Sequence, residues 1–456
     1  MSVQQEVRAL LHLAIPLTCV QLAEGMISFI DTLMMGWLGT AALAAGGLGA
    51  IIFWTLLSLF TGLLEMTGAL AAEAFGAEDR GQVRRINAQA LWLSLAVSIP
   101  ALLLLWHLAP ILLRLGQAPS IVAQTMAYLR GMMWGLPAAL GIFVFKEITT
   151  ALMRPQLLTA LMLISIPLNV ILNDALMFGR WGLPELGLAG IGWSSAIAFW
   201  TLFIVSTLAL KFHPDWRRWR LFAGISQPDW PTLREIVQLG WPLCVDYGTE
   251  FGALTAAALL MGLWGTDWLA AHRVVMTTTE LLLMVSWGLS YATAMRTAHA
   301  IGAGQPNIAQ QVMTLSLILN GGLISLLALP LWTLPEVIVG LYVDPHLPEN
   351  QGAVLAAIAL FPIGVIFQIC QGFRLMSLGT LQGLRDTPFL ATVDFIAHWL
   401  IGIGGGFVLG QLLGLTGLGL WWGLALGQLA AAVLLSYRVR HLLQRRVQAY
   451  SKSLSS

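Results

Sequence analysis

Long apolar stretches, separated from one another by polar or Gly/Pro-rich residues, run from one end of the chain to the other. An α-helix needs about 20 apolar residues to cross the hydrocarbon core of a bilayer. These stretches are at least that long, and they are too long for the strands of a membrane barrel. Open strands would leave backbone groups unpaired in lipid. The sequence therefore predicts an all-α polytopic membrane protein with about twelve transmembrane helices.

The composition supports the same class. Charged residues make up 10% of the 456 residues and hydrophobic residues 58%, whereas a soluble protein has roughly 25% charged residues. So few charges cannot cover a water-facing surface, so lipid must be the main solvent. The predicted spans are residues 10–36, 42–72, 86–110, 122–150, 156–178, 187–210, 233–262, 269–299, 308–332, 351–381, 388–411 and 417–441.

Lysine and arginine are distributed unequally between the two sides of the predicted bundle. With a cytoplasmic N-terminus, the outside ends and loops hold Arg114 and Arg180. The inside holds most of the rest, including Arg8, Arg80, Arg84, Arg85, Arg154, Arg217, Arg218, Arg220, Arg445 and Arg446. Cytoplasmic loops of membrane proteins carry an excess of Lys and Arg. We therefore expect a multi-pass protein of the cell inner (plasma) membrane with both termini in the cytoplasm.

The two halves of the sequence resemble each other at a shift of 226 residues. Pro16 falls on Pro242 (242 − 16 = 226), and Gly39-Thr40 falls on Gly265-Thr266. Later in each half, GLAGIG at 187–192 matches GLTGLG at 414–419, at a shift of 227 (414 − 187 = 227). A duplicated six-helix unit predicts two pseudo-symmetric bundles, residues 1–211 and 232–456, joined by a cytoplasmic linker at 212–231. Halves of this kind enclose a central cavity that opens alternately to each side.

Carboxylates inside the predicted helices are the main candidates for a site. An ionisable side chain at mid-bilayer costs roughly 2.5–3.5 kcal/mol on insertion scales, so it should face a cavity or a partner. Glu24 and Asp31 can share one face of the first helix, and Asp246 and Glu250 one face of the seventh. The shift of 226 places Glu24 on Glu250. Such carboxylates can exchange protons in a low-dielectric cavity or, when ionised, bind Na⁺ or an organic cation.

Three further polar residues are candidates for the same cavity. Glu280 lies in the predicted helix 269–299 and either lines the cavity or pairs with Arg273 on the same face. Asn169 and Asn173 are spaced i, i+4 in the predicted helix 156–178. They serve either as uncharged donors in the cavity or in hydrogen bonds between helices.

Other kinds of site have little support in the sequence. Asp394 and His398 are four residues apart without a third ligand at metal spacing, so a structural hydrogen bond is the expected role. The three cysteines show no CxxC pattern, which argues against a zinc site. A net charge of +1 gives no electrostatic basis for nucleic-acid binding. The chain has no HExxH or GxSxG motif, so we expect neither an enzyme nor a cofactor.

Five motifs together resemble those of the multidrug and toxin extrusion (MATE) transporters, in particular the NorM-like bacterial branch. They are FIDTLMMGWLG at 29–39, PLNVILN at 167–173, AAHRV at 270–274, RTAHAIGAG at 296–304 and GTLQGLRDT at 379–387. They occur in the family's order and span most of the chain. The resemblance implies a secondary active antiporter that exports small organic cations or drugs in exchange for H⁺ or Na⁺, with Asp31 and Glu250 as the acids of the first and seventh helices.

The chain departs from the family pattern at one position. The resemblance implies an acid in the tenth helix where this sequence has Gln371, and Arg374 follows one turn later. Coupling by protonation of Asp31, Glu250 or both therefore fits better than a Na⁺ site in the C-terminal half. The alternative is a flippase for lipid-linked oligosaccharides or lipids, which would need a strongly basic cavity. Beyond the substrate and the lipid bilayer we expect no partner, and we expect a monomer.

Overall fold

Twelve long helices make up most of the computed structural model, which describes residues 3–225, 227–343, 345 and 347–455. No strand occurs in this part of the chain. The helices are α1 Val3–Trp37, α2 Thr40–Gly76, α3 Arg80–Trp106, α4 Pro119–Ala151, α5 Gln156–Phe178, α6 Leu188–Phe212, α7 Trp230–Leu263, α8 Thr266–Gly302, α9 Pro306–Thr333, α10 Gln351–Gly383, α11 Thr387–Leu412 and α12 Thr416–Ser455. Each overlaps one predicted span, so the predicted all-α fold is confirmed.

Eleven of these described helices are long and apolar enough to cross a membrane. The exception is α7, whose sequence contains Arg234, Glu235, Asp246 and Glu250, charges that lower its hydropathy. At 34 residues α7 is still long enough to span the bilayer. Many large apolar side chains on the other helices remain exposed, for example Ile51, Ile164 and Ile318 at 63–67%. Such a surface suits lipid better than water.

The chain forms two compact units of similar size. The first unit is Cys19–Cys244, and the second comprises Met1–Thr18 and Val245–Ser456. The divisions therefore lie inside α1 and α7, at positions separated by 226 residues (244 − 18 = 226), and each follows a proline inside its helix, Pro16 or Pro242. The predicted bundle boundaries at 211 and 232 stay a prediction.

The beginning of α1 is bound to the second unit by a buried ion pair. Arg296 of α8 donates from Nε and Nη2 to the two carboxylate oxygens of Glu6, each over 2.8 Å. Close helix packing adds to this pair, since a Cβ on Gly288 would collide with Thr18. In the first unit the beginning of α7 packs equally closely on α2, where a Cβ on Gly240 would collide with the carbonyl of Leu63.

The repeat is visible in the backbone itself. Gly39 precedes α2 with φ 104° and Gly265 precedes α8 with φ 120°, a region that only glycine enters without strain. Glu78 and Gly304 also correspond at the shift of 226 and both have positive φ, 60° and 67°. Equivalent turns thus connect equivalent helices, as the internal repeat predicts.

Candidate functional site

A buried carboxylate on α1 forms the centre of a polar group in the first unit. Asp31 is 7% exposed. Asn173 of α5 donates from Nδ2 to its Oδ1 over 2.6 Å, and Ser195 of α6 donates from Oγ to its Oδ2 over 3.3 Å. Both oxygens of a carboxylate in the membrane-spanning part of the unit thus receive donors. This arrangement stabilises a charge that would otherwise be costly in lipid.

The amide of Asn173 is held on every side. Its Nδ2 also donates to Oδ1 of Asn169 over 3.1 Å, and its Oδ1 accepts a hydrogen bond from Ser194. Asn169 and Asn173 lie one helical turn apart on α5, so their side chains are neighbours on one face. The amide of Asn173 therefore presents N–H groups, rather than its oxygen, to Asp31. The structure brings the predicted residues Asp31, Asn169 and Asn173 together.

Close packing of α6 on α4 sets the position of the two serines. Gly192 lies against the carbonyl of Tyr128, and a Cβ there would collide with it. Ser194 and Ser195 follow within the next turn of α6. The hydroxyl of Tyr128 is buried and has no hydrogen-bond partner among the described residues. The missing side chain at 192 thus allows α6 to bring its hydroxyl groups to Asp31.

Glu24 belongs to a different environment from Asp31. Its side chain is half-buried, and the positive charge of Lys146 on α4 acts on it. Lys146 is itself buried, with its Nζ 3.9 Å from Oε1 of Glu147. Among the described residues no hydrogen bond joins Glu24 to Asp31. Although Glu24 and Asp31 were predicted to share one face of α1, they do not belong to the same hydrogen-bond network.

A second buried polar group lies in the second unit, around Arg374 of α10. This side chain has no solvent exposure. Its Nη1 donates to Oδ2 of Asp394 on α11 over 2.7 Å, and its Nη2 donates to Oε2 of Glu250 over 3.1 Å. Gln371, one turn earlier on α10, donates from Nε2 to Oε1 of Glu250 over 3.2 Å. Glu250 and Gln371 are therefore in contact, and Arg374 lies between two acids.

Three carboxyl groups surround that single guanidinium. Asp246 is 3% exposed and one turn from Glu250 on α7, and the charges of Asp394 and Arg374 act on it. The group around Arg374 therefore holds three acids beside one fixed cation.

His398 completes this group from α11. Its Nδ1 lies 2.8 Å from the backbone oxygen of Asp394, and its Nε2 lies 3.0 Å from Nε2 of Gln428 on α12. The helix winds more loosely here, because Ile396–Gly405 forms a π-helix. Such segments are rare and frequently occur at functional sites. The histidine thus makes a hydrogen bond within its own helix and one to α12.

Glu280 is separate from both groups. Its side chain is exposed on α8, and the charge of Arg273, seven residues earlier, acts on it. No ion pair between the two is found among the described residues, so both alternatives for Glu280 stay predictions. Groups of three or more metal-ligating His, Cys, Asp or Glu side chains are also absent from the part of the chain that the structure describes.

Sequence reasoning missed Ser194, Ser195 and Gln428 and gave Asp394 only a structural role. Two adjacent serines in a largely apolar helix were an available signal for the first pair. The importance of Asp394 had no local signal, because its partner Arg374 lies 20 residues earlier on another helix. Such pairs are determined by helix packing rather than by spacing along the chain.

Comparison with known proteins agrees with the internal repeat. The model of the MatE family matches residues 16–173 and 242–408. The two matches begin 226 residues apart (242 − 16 = 226), which is the shift found in the sequence. "Probable multidrug resistance protein NorM" of Pseudomonas aeruginosa is 34% identical over 428 residues, covering 94% of this chain and 88% of that protein.

Solved structures share the whole fold at lower identity. A MATE protein crystallised in its straight conformation has a TM-score of 0.87 and 17% identity, with 97% of each chain covered. A eukaryotic MATE transporter has a TM-score of 0.82 and 20% identity, covering 98% of this chain and 99% of that one. Identities this low show the fold alone.

Proposed function

The chain belongs to the MatE family, and from that premise we propose that it is a secondary active antiporter that exports small organic cations or drugs in exchange for H⁺. The family consists of transporters, so the protein is a transporter and not an enzyme. It is a multi-pass membrane protein. We propose that it lies in the inner (plasma) membrane with both termini in the cytoplasm, as the arginine distribution predicts.

The observation that carries the proposal is the environment of Asp31. A single carboxylate, 7% exposed, receives hydrogen bonds from an amide and a hydroxyl group, and no arginine, lysine or histidine pairs with it among the described residues. Its charge is stabilised by neutral donors alone. Binding or releasing one positive ion there changes the net charge of the first unit, which can bias a two-state equilibrium between conformations.

Glu250 differs from Asp31 in having a permanent cation beside it. Arg374 remains protonated at any physiological pH and contacts both Glu250 and Asp394. Because this guanidinium already offsets the negative charge of Glu250 and Asp394, an external cation would stabilise these acids less. We therefore assign the coupling ion to Asp31, with Asn169 and Asn173 as its supporting residues. Asp246, Glu250 and Gln371 are assigned to the buried group in the second unit.

The donors around Asp31 favour H⁺ over Na⁺ as the coupling ion. A hard metal cation needs several oxygen ligands at once. The Oδ1 of Asn173 is already occupied by Ser194, and its N–H groups point to Asp31 and Asn169. A proton needs no such coordination shell and adds directly to a carboxylate oxygen.

The nature of the substrate rests on the relatives and on charge. The curated relatives that match almost the whole chain are named as multidrug resistance proteins, and acids outnumber bases among the proposed site residues. Both points favour a cationic substrate. The flippase alternative would need a strongly basic site and is not favoured. The protein is proposed to act as a monomer.

Everted membrane vesicles test the coupling directly. A pH gradient and a Na⁺ gradient would be imposed separately, and movement of a fluorescent organic cation would be followed in vesicles with the wild-type protein and with Asp31→Asn. We expect movement with the pH gradient alone and none with the variant. Equal transport by the variant would remove Asp31 from the mechanism, and transport driven by Na⁺ alone would refute proton coupling.

A further inference from the structure

A polar pocket at one end of the first unit is unrelated to Asp31. It is a cavity of about 330 Å³ at the turns between helices, lined by Phe75, Glu78, Arg80, Leu152, Arg154, Arg218 and Trp219. These residues come from the α2–α3 turn, the α4–α5 turn and the segment after α6. The volume lies within the range of small-molecule pockets.

The pocket is basic. Three arginines line it against one glutamate. Among the described residues, no ion pair joins Glu78 to Arg80, Arg154 or Arg218, nor do these arginines pair with any other acid. Arg80 lies over the ring of Trp219 at 5.2 Å. The guanidinium groups are therefore available to an anion, and planar guanidinium groups suit phosphate oxygens.

Trp219 contributes to the wall of the pocket. The side chain is 7% exposed, and its Nε1 is buried without a hydrogen-bond partner among the described residues. Because Nε1 is closed to solvent, the three arginines supply the polar contacts for an anion.

The segment that carries Arg218 and Trp219 is held firmly in place. Asn87 of α3 donates to the carbonyl of Leu221 over 3.0 Å, and Trp92 donates to the carbonyl of Ile225 over 2.6 Å. The ring of Trp219 also packs edge-on against Phe75 at 5.5 Å. The pocket is thus built by tertiary contacts rather than by a loose loop.

We propose that this pocket binds the phosphate group of an anionic phospholipid headgroup. It lies at the ends of membrane-crossing helices, on the side whose arginines predict a cytoplasmic location, and anionic lipids concentrate in that leaflet. Basic pockets between transmembrane helices on the cytoplasmic side bind such headgroups. The aromatic residues Phe75 and Trp219 also suit the depth of the membrane interface. The site is independent of the transport site and of the coupling ion.

Native mass spectrometry of the full-length protein in detergent tests the proposal. Phosphatidylglycerol and phosphatidylcholine would be titrated against wild type, the double variant Arg154→Gln/Arg218→Gln, and Trp219→Phe. We expect phosphatidylglycerol to bind more tightly than phosphatidylcholine. Loss of each arginine should weaken it about fivefold, whereas Trp219→Phe keeps an aromatic ring and should bind as wild type does. Phosphatidylcholine binding should not change.

Arg114→Gln is the matched control, because Arg114 is exposed and ends the short helix Ala109–Arg114, on the side predicted to be opposite. It should bind phosphatidylglycerol as wild type does. Arg218→Lys keeps the charge and should retain most of the affinity. Equal binding of the two lipids, or unchanged binding by the double variant, would overturn the site. Displacement of the lipid by inorganic phosphate at equal concentration would instead identify free phosphate as the ligand and overturn the lipid assignment.

Discussion

Asn173 donates a hydrogen bond of 2.6 Å to Asp31 across 142 positions of sequence, from α5 to α1. The same amide nitrogen donates to Asn169, and the amide oxygen accepts from Ser194. An amide with all of these groups engaged cannot turn its oxygen towards Asp31 without breaking them. The orientation of the Asn173 amide therefore ensures that Asp31 meets a hydrogen-bond donor and not an acceptor.

Replacing Asp31 with Asn should abolish coupled transport without harming the fold. The amide has nearly the same shape, and it removes a charge that is costly to bury in the membrane. Efflux driven by a pH gradient should fall to the level of vesicles without the protein, and the unfolding temperature in detergent should stay the same or rise.

Asp174→Asn is the control for this loss. Asp174 is adjacent to Asn173, but its side chain is 28% exposed and pairs with Arg180 at 3.2 Å. We expect nearly normal efflux from this variant. Loss of efflux in both variants to the same degree would show that the effect is not specific to Asp31.

Removing the two donors to Asp31 should have unequal effects. The bond from Asn173 is short, at 2.6 Å, whereas the bond from Ser195 is 3.3 Å long. A hydrogen bond to a charged group contributes about 1.5–3 kcal/mol, so Asn173→Ala should reduce proton-coupled efflux by at least about tenfold. Ser195→Ala should reduce it by only severalfold. The ratio of initial efflux rates measures this order, and the reverse order would contradict the geometry.

Replacing Arg374 with Gln should destabilise the second unit. The change leaves Glu250 and Asp394 buried without their cation, and removing one partner of a buried ion pair costs about 3–5 kcal/mol. Thermal unfolding in detergent measures the loss. Adding Asp394→Asn to the variant removes one of the unpaired charges and should restore part of the stability.

Arg438→Gln is the matched control for this prediction. Its Nε lies 2.7 Å from Oδ2 of Asp386, the same length as the bond from Arg374 to Asp394, but the pair is 36% and 20% exposed. Exposed ion pairs contribute about 0–1 kcal/mol. Equal losses from Arg374→Gln and Arg438→Gln would show that burial does not determine the cost.

A methyl group at position 192 should displace the hydrogen-bond donors of Asp31, although Gly192 itself does not contact Asp31. The added Cβ would collide with the carbonyl of Tyr128, so α6 would move away from α4 and take Ser194 and Ser195 with it. Overpacking of this kind costs about 1–3 kcal/mol. We expect Gly192→Ala to lower both the unfolding temperature and the rate of proton-coupled efflux.

Gly47→Ala tests whether any glycine substitution would do the same. Gly47 lies within α2, and a Cβ there would have nothing within 4 Å. Alanine is the better helix former by about 1 kcal/mol, so this variant should be as stable as wild type or more so, with normal efflux. A loss of efflux equal to that of Gly192→Ala would contradict the packing argument.

Much of the fold followed from the sequence, whereas the partners of the buried acids did not. Helix positions could be predicted because each apolar stretch must span the bilayer by itself, and the repeat could be predicted because equivalent turns need the same residues, as at Gly39 and Gly265. Asn169 and Asn173 were recognisable because they are one turn apart. The separation of Glu24 from Asp31 was not, because a shared helix face does not reveal which neighbouring helix each side chain meets.

The sequence alone determined that this chain is a helical membrane protein, that it contains an internal repeat, and which acids lie within its helices. These properties depend on hydrophobicity and on spacing along one segment. Only the tertiary structure decided that Asp31 is held by neutral donors and Glu250 by an arginine. Such partners come from different helices, and long-range packing brings them together over separations of more than 100 residues.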